Sequence, residues 1–383
     1  VDASIVESGD TEFDAYVAAR SAVAMGMSLL AADLNESAGS GAGGAGQGSS
    51  GASQVDSEQD VWFTRRADAP LAYQEINDGV MSWDVADESG KLNVNALIVR
   101  RGGEGQGDQE ANQNVFMAEA LRVFFEARAS ALGVEGDPVD AILDWIDGPD
   151  SGDPDDAPQR SGNGAESDYY GSLETPYGCK NAPLSSIEEL LLVRGVSPAL
   201  YFGDPDVKDS RSGEAMLPLS EYLTVHGDSR GRVNINTARL EVLDAMAEAA
   251  RRLGAPGAVP SPEAILTLRE RQPFQGVSDI TSQNMMIVAP GAAGADVDGD
   301  VARGRGVEAG GQTAQGTKMF VAASKTFRIQ GDGYAGNTQV RIEAFVRRNS
   351  GEAQEAGGRS RGVSIQGVQQ EQVFRILDWR VIR

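Results

Sequence analysis

The chain has 383 residues, a formal net charge of −24 at pH 7 and a hydrophobic share of 40%. This length allows two or three domains, each with a core of its own. The strong negative charge argues against a nucleic-acid partner, because phosphate binding depends on basic surface and on the release of counter-ions. Such acidity suits a secreted or calcium-rich setting.

The composition contains few of the residue types that nucleophilic and redox catalysis use. The chain contains one cysteine, Cys179, and one histidine, His226. A single cysteine excludes an intrachain disulfide, and the sequence offers no Cys/His cluster for zinc or redox chemistry. A serine or cysteine triad would depend on His226 alone, which lies in a predicted strand-end turn. We therefore predict that the protein is not an enzyme.

The first part of the chain predicts one long helix from Thr11 to Leu34. Apolar side chains recur there at spacings that keep them on one helical face, namely Tyr16, Val23, Met27, Leu30 and Leu34. We expect most of this face to cover a sheet of the same domain. No run of about 18 apolar residues occurs, so we predict that the sequence shown does not span a membrane. Residues 35–53 are almost wholly glycine, alanine and serine, which predicts a flexible loop.

Strand patterns occur near both ends of the chain. Strands are predicted at 60–65, 71–76, 80–87, 320–331, 338–348 and 372–383. Asn77-Asp78-Gly79 indicates a hairpin, because Asp-Gly readily takes the positive φ of tight turns. The glycine-rich residues 331–337 predict a second turn.

The middle of the chain has helical periodicity instead. Helices are predicted at 115–132, 138–146, 185–193, 238–253 and 262–271. Glycine-rich breaks at 102–107 and 291–316 flank this region. The order helix, strands, helices, strands predicts an α+β fold in which an all-α domain is inserted between strands. We place the domains at 1–100, 101–316 and 317–383.

A short motif occurs twice, as Gly90-Lys-Leu-Asn-Val-Asn-Ala96 and as Gly231-Arg-Val-Asn-Ile-Asn-Thr-Ala238. The two asparagines of each copy lie on one side of an extended segment. We predict that the second asparagine caps a following helix or turn. Two copies of this length are too few for a solenoid.

Carboxylates crowd one predicted loop in the inserted domain. They are Asp144, Asp147, Asp150, Asp153, Asp155, Asp156, Glu166 and Asp168, with Arg160 as the sole basic residue. Like-charged neighbours raise the cost of ionising each group, and a hard cation such as Ca²⁺ would relieve that repulsion. The alternative is a solvated acidic loop. A second acidic stretch, Asp296–Asp300, lacks the glycine and late glutamate of an EF-hand and favours a flexible linker.

Several motifs follow one another along the chain in an order that indicates a family. They are Gly90-Lys-Leu-Asn-Val-Asn95, Asp144-Trp-Ile-Asp147, Gly164-Ala-Glu166, Tyr169-Tyr170, Lys180-Asn181, Ser186-Ile-Glu-Glu-Leu190, Gly195-Val196 and Val233-Asn-Ile-Asn-Thr-Ala238. In this combination the chain resembles the general secretion pathway protein K family, the large minor pseudopilins of type II secretion systems. The resemblance covers almost the whole chain.

The resemblance implies a pilin-like long helix packed on a small antiparallel sheet, with a large helical domain inserted between strands. It implies a structural role at the tip of the pseudopilus with the I and J pseudopilins, where the protein starts or caps the filament that drives protein export. It also implies a periplasmic domain that is anchored in the bacterial inner membrane by an N-terminal segment absent from this sequence.

Two sets of site residues follow from the resemblance. Calcium would be held in the loop after the Asp-Trp-Ile-Asp helix, and the oxygen donors that match are Asp147, Asp150, Asp153, Glu166 and Asp168. The part of the helix face not covered by the sheet would meet neighbouring pseudopilins through Tyr16, Val23, Met27 and Leu30.

Two other classes of function deserve comparison. Residues 187–196 and 236–243 look like pieces of helix-hairpin-helix DNA-binding motifs, but Glu188, Glu189 and the overall charge oppose a polyanion. A secreted hydrolase would need one carboxyl group with a raised pKa beside an apolar wall, and the acidic loop lacks that wall.

Overall fold

The computed structural model describes residues 2–39, 55–64, 74–76, 79–100, 111–147, 164–209, 211–255, 258–289, 317–348 and 374–382. The chain divides into two compact units. The first unit comprises 1–90, 272–276 and 322–383, and the second comprises 91–271 and 277–321. The boundaries between the units at 90/91 and 321/322 lie near the domain boundaries that the sequence predicted, after residues 100 and 316.

The helices and strands are numbered here in chain order. The helices are α1 (Asp2–Gly39), α2 (Val61–Thr64), α3 (Val115–Leu132), α4 (Val139–Ile146), α5 (Ser167–Gly171), α6 (Pro198–Phe202), α7 (Leu240–Arg252), α8 (Pro262–Arg271) and α9 (Val277–Ser282). The strands are β1 (Gln74–Ile76), β2 (Gly79–Asp87), β3 (Leu92–Asn93), β4 (Ile98–Arg100), β5 (Ala111–Gln113), β6 (Leu223–Thr224), β7 (Val233–Asn234), β8 (Val288–Ala289), β9 (Thr317–Lys318), β10 (Phe320–Val321), β11 (Thr326–Ala335), β12 (Thr338–Arg348) and β13 (Phe374–Ile382).

The first unit is a long helix on an antiparallel sheet. Its five strands lie in the order β1-β2-β11-β12-β13, and each neighbouring pair is antiparallel. The predicted hairpin joins β1 to β2, with Ile76 opposite Gly79. Strands from both ends of the sequence therefore share one sheet, and the predicted α+β class is confirmed.

Helix α1 packs on β2, β11 and β12 through a face of small residues. Ala15, Ala19 and Ala22 of α1 are fully buried. A Cβ atom on Gly333 of β11 would overlap the Ala15 carbonyl oxygen, and one on Gly331 would overlap the Ala19 carbonyl oxygen. Because glycine has no Cβ, the helix backbone lies directly on the backbone of the central strand.

This packing corrects the predicted turn at 331–337. Strand β11 continues through Gly331 and Gly333 to Ala335, which pairs with Thr338. The turn itself is Gly336–Asn337, where Gly336 takes a φ of 55°. The glycine-rich composition indicated a loop, whereas two of these glycines provide room for α1.

The strand predicted at 60–65 is also wrong, because Val61–Thr64 forms the short helix α2. The Asp60 carbonyl accepts hydrogen bonds from the backbone N–H groups of Phe63 and Thr64, at 3.1 and 2.9 Å. Trp62 is buried with its ring 5.3 Å from that of Phe327. Local hydrogen bonding and burial of Trp62 thus outweigh the strand propensity of this segment.

The second unit contains more helix than strand, but it is not all-α as predicted. It contains the parallel pairs β3–β6 and β7–β10 and the antiparallel pairs β4–β5 and β8–β9. Helix α3 has the predicted bounds: the Asn114 side chain accepts a hydrogen bond from the Met117 N–H, and Gly133 ends the helix at a φ of 65°. The helix predicted at 185–193 is a 3₁₀ helix over Ile187–Leu192.

The repeated motif has the same local structure in both copies. The Asn93 side chain accepts a hydrogen bond from the Asn95 N–H at 3.1 Å, and the Asn234 side chain accepts one from the Asn236 N–H at 3.0 Å. The first asparagine of each copy therefore makes this turn, whereas the prediction concerned the second asparagine. The side chain of an extended asparagine readily accepts a hydrogen bond from the backbone N–H two residues ahead, which explains why the first asparagine forms the turn.

Candidate functional site

The acidic site begins at the end of α4. Every side chain of this helix is buried, and Asp147 ends it with extended backbone and an N–H bonded to the Leu143 carbonyl at 2.9 Å. Because the helix is enclosed on all sides, it fixes the position at which the acidic loop departs. Asp147 is thus held where the acidic loop begins.

Asp144 holds the far end of the same loop. Its carboxylate is buried and accepts a hydrogen bond from the Ala165 N–H at 2.6 Å. A Cβ atom on Gly164 would overlap this carboxylate, so glycine is required for the approach. Arg194 donates from its guanidinium to the Gly164 carbonyl at 2.9 Å. The chain therefore returns from the loop at a fixed place, next to α4.

Glu166 follows directly and is the residue that precedes α5. Cys179 lies in the same neighbourhood, with its thiol donating to the Asp144 carbonyl at 3.3 Å. Burial raises the pKa of the Cys179 thiol, and the carboxylates of Glu166, Asp144 and Asp147 raise it further. All three carboxylates therefore lie near enough to the thiol to affect its pKa, and they include two predicted ligands, Asp147 and Glu166.

Asn181 adds an oxygen that the sequence analysis did not assign to the site. Its backbone takes a φ of 48°, a left-handed conformation that asparagine tolerates better than most residues. Its side-chain oxygen is buried, and within the described residues no donor forms a hydrogen bond with it. The Asn181 N–H bonds to Cys179, which opposes the rise in the Cys179 pKa. Amide oxygens are among the ligands that Ca²⁺ takes.

The other predicted ligands have different outcomes. Asp168 lies on the first turn of α5, and its side chain is exposed. Asp150 and Asp153 lie outside the described residues, as do Asp155, Asp156 and the acidic stretch at 296–300. The described part of the site thus contains Asp147, Glu166 and Asn181.

Aromatic rings of α4 and α5 pack against one another near these residues. The ring of Tyr170 lies 5.1 Å from that of Trp145 and 5.3 Å from that of Tyr177. Burial raises the pKa of Tyr170 to about 12, so its hydroxyl stays protonated. Lys180 pairs with Glu189 at 2.7 Å and holds the segment that carries Asn181.

The second predicted site was the face of α1. Val23 and Leu30 are 1% and 0% exposed, and they pack in the core of the first unit. Their proposed role as partner contacts is corrected, because helix and sheet already enclose them. Tyr16 and Met27 are half-buried at the margin of the same core.

Phe13 is the α1 residue that the prediction missed, with 65% of its surface exposed. It lies three residues before Tyr16, which is a helical neighbour spacing, and the apolar pattern could have included it. Residues Asp10–Leu34 are long and apolar enough to cross a membrane, yet 44% of the most apolar window is buried within the protein. The core helix of a soluble protein passes the same test. Length and composition therefore do not distinguish a membrane-spanning helix from a core helix here.

A long helix on an antiparallel sheet, interrupted in sequence by a second unit rich in helix, is a pilin-like fold with an insertion. The same architecture occurs in a solved crystal structure of the GspK–GspI–GspJ complex from the type 2 secretion system of enterotoxigenic Escherichia coli. The match to a chain of that complex has a TM-score of 0.57 and 14% identity and covers 99% of each chain. At this identity the likeness concerns the fold.

Sequence similarity to known proteins covers part of the chain. The family model of type II secretion system protein K matches residues 90–202. Curated proteins of that name are 28% identical over 166 residues in Klebsiella pneumoniae and 30% identical over 166 residues in Aeromonas hydrophila. The aligned parts cover 42% and 43% of this chain and 41% and 43% of those relatives. The chain is therefore similar to type II secretion system protein K over less than half of its length, and the predicted resemblance to that family is confirmed.

Proposed function

We propose that this protein is a minor pseudopilin at the tip of the type II secretion pseudopilus, where it starts or caps the filament together with pseudopilins I and J. The observation that carries the proposal is a protein K domain at residues 90–202 in the same chain as a pilin-like helix and sheet. The similar solved structure is a complex of GspK with GspI and GspJ, which supports the choice of partners. The helix-hairpin-helix alternative gains no support from these similarities.

Proteins of this family are periplasm-facing parts of the secretion system and not enzymes. We propose that this chain likewise acts by binding partners, without catalysis. We further propose that it is held in the inner membrane from its N-terminal side, an arrangement with which the apolar composition of α1 is consistent. The exposed side of α1 near Phe13 and Tyr16 is then the surface nearest to neighbouring pilin helices.

Replacing Phe13 by Asp should weaken the complex with pseudopilins I and J of the same system by at least about tenfold. The reason is that a charge at this exposed position must be desolvated when another helix packs against it. Gel filtration with light scattering on the mixed proteins measures the loss. Val115→Asp is a matched control, because Val115 is 59% exposed in the second unit. Three proteins that elute separately without any substitution would refute the tip-complex proposal.

We also propose that Ca²⁺ binds between the end of α4 and the start of α5. Asp147 and Glu166 would supply carboxylate oxygens and Asn181 its amide oxygen. The part of the acidic loop outside the described residues contains the predicted donors Asp150 and Asp153. The donor set fits, since Ca²⁺ takes six to eight oxygens from carboxylates, amides and carbonyls. The ion would compensate the like charges that gather around Cys179. Its role is structural, because it joins the two ends of a long loop.

Calcium at about one hundred times its Kd should raise the free energy of unfolding of the second unit by about 2.7 kcal/mol, since it binds only the folded site. Thermal melts with Ca²⁺ and with a chelator measure this difference. The double change of Asp147→Asn and Glu166→Gln should abolish it, whereas Glu174→Gln, at an exposed position in the same unit, should preserve it. Identical melts of the unmodified chain under both conditions would refute the site.

A further inference from the structure

Strand β13 forms one edge of the five-stranded sheet, and it is long for an edge. It has nine residues, whereas β1 at the opposite edge has three. Edge strands offer unpaired backbone groups to other chains, and proteins usually shorten them or place charges on them. A bulge separates Ile376 from Asp378, and the residues on either side pair with β12 in regular register.

The side of β13 that faces α1 is apolar. Register places Ile376 opposite Val346 and Val381 opposite Ile342, and both partners on β12 are buried beneath the helix. Ile376 and Val381 are nevertheless 50% and 40% exposed. Phe374 and Trp379 lie on the same side of β13 and pack against the core. Ile376 and Val381 therefore belong to one apolar strip and are not scattered surface residues.

The other side of β13 carries an unbalanced positive charge. Arg375 lies directly opposite Arg347 of β12, and both side chains are exposed. Like charges at directly opposed positions destabilise a sheet. The remaining basic residues nearby are already paired, Arg341 with Asp332 and Arg380 with Asp378, each at 2.7 Å. Among the described residues no carboxylate pairs with Arg347 or Arg375, so this point attracts an anion.

We propose that β13 is a docking edge for an extended segment of a partner protein in which apolar and acidic residues alternate. Added as a sixth strand, such a segment would place its apolar side chains beside Ile376 and Val381 and its acidic ones beside Arg375. Main-chain hydrogen bonds provide the affinity in strand addition, and alternate side chains provide the specificity. Charge selects the partner, because this arginine pair is locally basic in a chain of net charge −24.

The test uses the whole chain and a fluorescent peptide of about ten residues in which valine and glutamate alternate, the length of an ordinary strand. At physiological salt, where the Debye length is about 8 Å, the peptide should bind with a Kd of about 100 µM or tighter. Arg375→Glu and Ile376→Lys should each weaken binding by at least about tenfold, through charge reversal and through blocking of the edge. Arg230→Glu, an exposed arginine of the second unit, is the matched control and should not change the Kd.

Several results would overturn the proposal. A peptide of the same composition with its glutamates grouped in one block should bind at least about tenfold more weakly, and equal binding would show that only charge matters. If the peptide does not bind, or if it binds Ile376→Lys as tightly as the unmodified chain, then this edge is not its docking site. A dimer of the chain that Ile376→Lys dissociates would make a second copy the occupant. Val381→Lys gives an independent variant if melting shows that Ile376→Lys does not fold.

Discussion

Replacing Gly333 by valine should destabilise the first unit by about 3 kcal/mol or more, because overpacking at a close backbone contact cannot be relieved by a change of rotamer. The new Cβ would overlap the Ala15 carbonyl oxygen of α1. Either the helix must lift from β11 or the strand must bend, and both expose buried apolar surface. Urea unfolding followed by circular dichroism measures the loss.

Gly276→Val is the matched control, since it belongs to the same compact unit and a Cβ there meets nothing within 4 Å. Gly331→Val should resemble Gly333→Val, because its Cβ would overlap the Ala19 carbonyl oxygen. An unchanged unfolding midpoint for Gly333→Val would show that the helix does not lie on β11 as described.

Replacing Arg348 by methionine should cost the first unit about 3–5 kcal/mol at pH 8, the range for removal of one partner from a buried ion pair. The Arg348 guanidinium is buried and contacts Asp56 at 2.7 Å and Asp33 at 3.3 Å. Without it, two buried carboxylates lose their counter-ion. Arg347→Met is the control at the neighbouring exposed position and should have almost no effect.

The cost of Arg348→Met should be smaller at pH 5 than at pH 8. Burial raises the pKa of Asp56 to about 7 although Arg348 lowers it. A carboxyl whose folded pKa is raised contributes stability that is fully present below its unfolded pKa, near 3.8, and is lost as pH rises through about 7. At pH 5 Asp56 is therefore protonated and needs its partner less. Asp56→Asn should flatten the pH dependence of unfolding, and an identical slope in the two proteins would contradict this account.

The sequence predicted the elements whose stability is local or periodic. Helix α3 has the bounds expected from its apolar pattern, with Asn114 as the cap and Gly133 at its end. The strands β11 and β12 were expected in the right region, but the sequence could not show that Gly331 and Gly333 lie within β11. Their role depends on a helix more than three hundred positions earlier in the chain. For the same reason the small residues of α1 were missed in favour of larger apolar ones.

The candidate metal site was predictable in part. Charge density identified the loop, and in the structure Asp147 and Glu166 both lie near enough to Cys179 to affect its pKa. The approach of Cys179 and Asn181 was not predictable, because it depends on how the chain returns past Asp144. The partner contacts of α1 were harder to predict, because a hydrophobic pattern does not distinguish a buried residue from an exposed one. Val23 is buried in the core of the first unit, whereas Phe13 is exposed.

The contact between α1 and β11 also has a mechanical consequence. Where bulky side chains separate a helix from a sheet, a pull along the helix axis is first absorbed by rotation of those side chains. Here the carbonyls of Ala15 and Ala19 lie against Gly333 and Gly331, so little compliant material lies between the two backbones. A tensile load on the N-terminal end of α1 would therefore pass as shear into the central strand, and from there through its ladder of hydrogen bonds into β2 and β12.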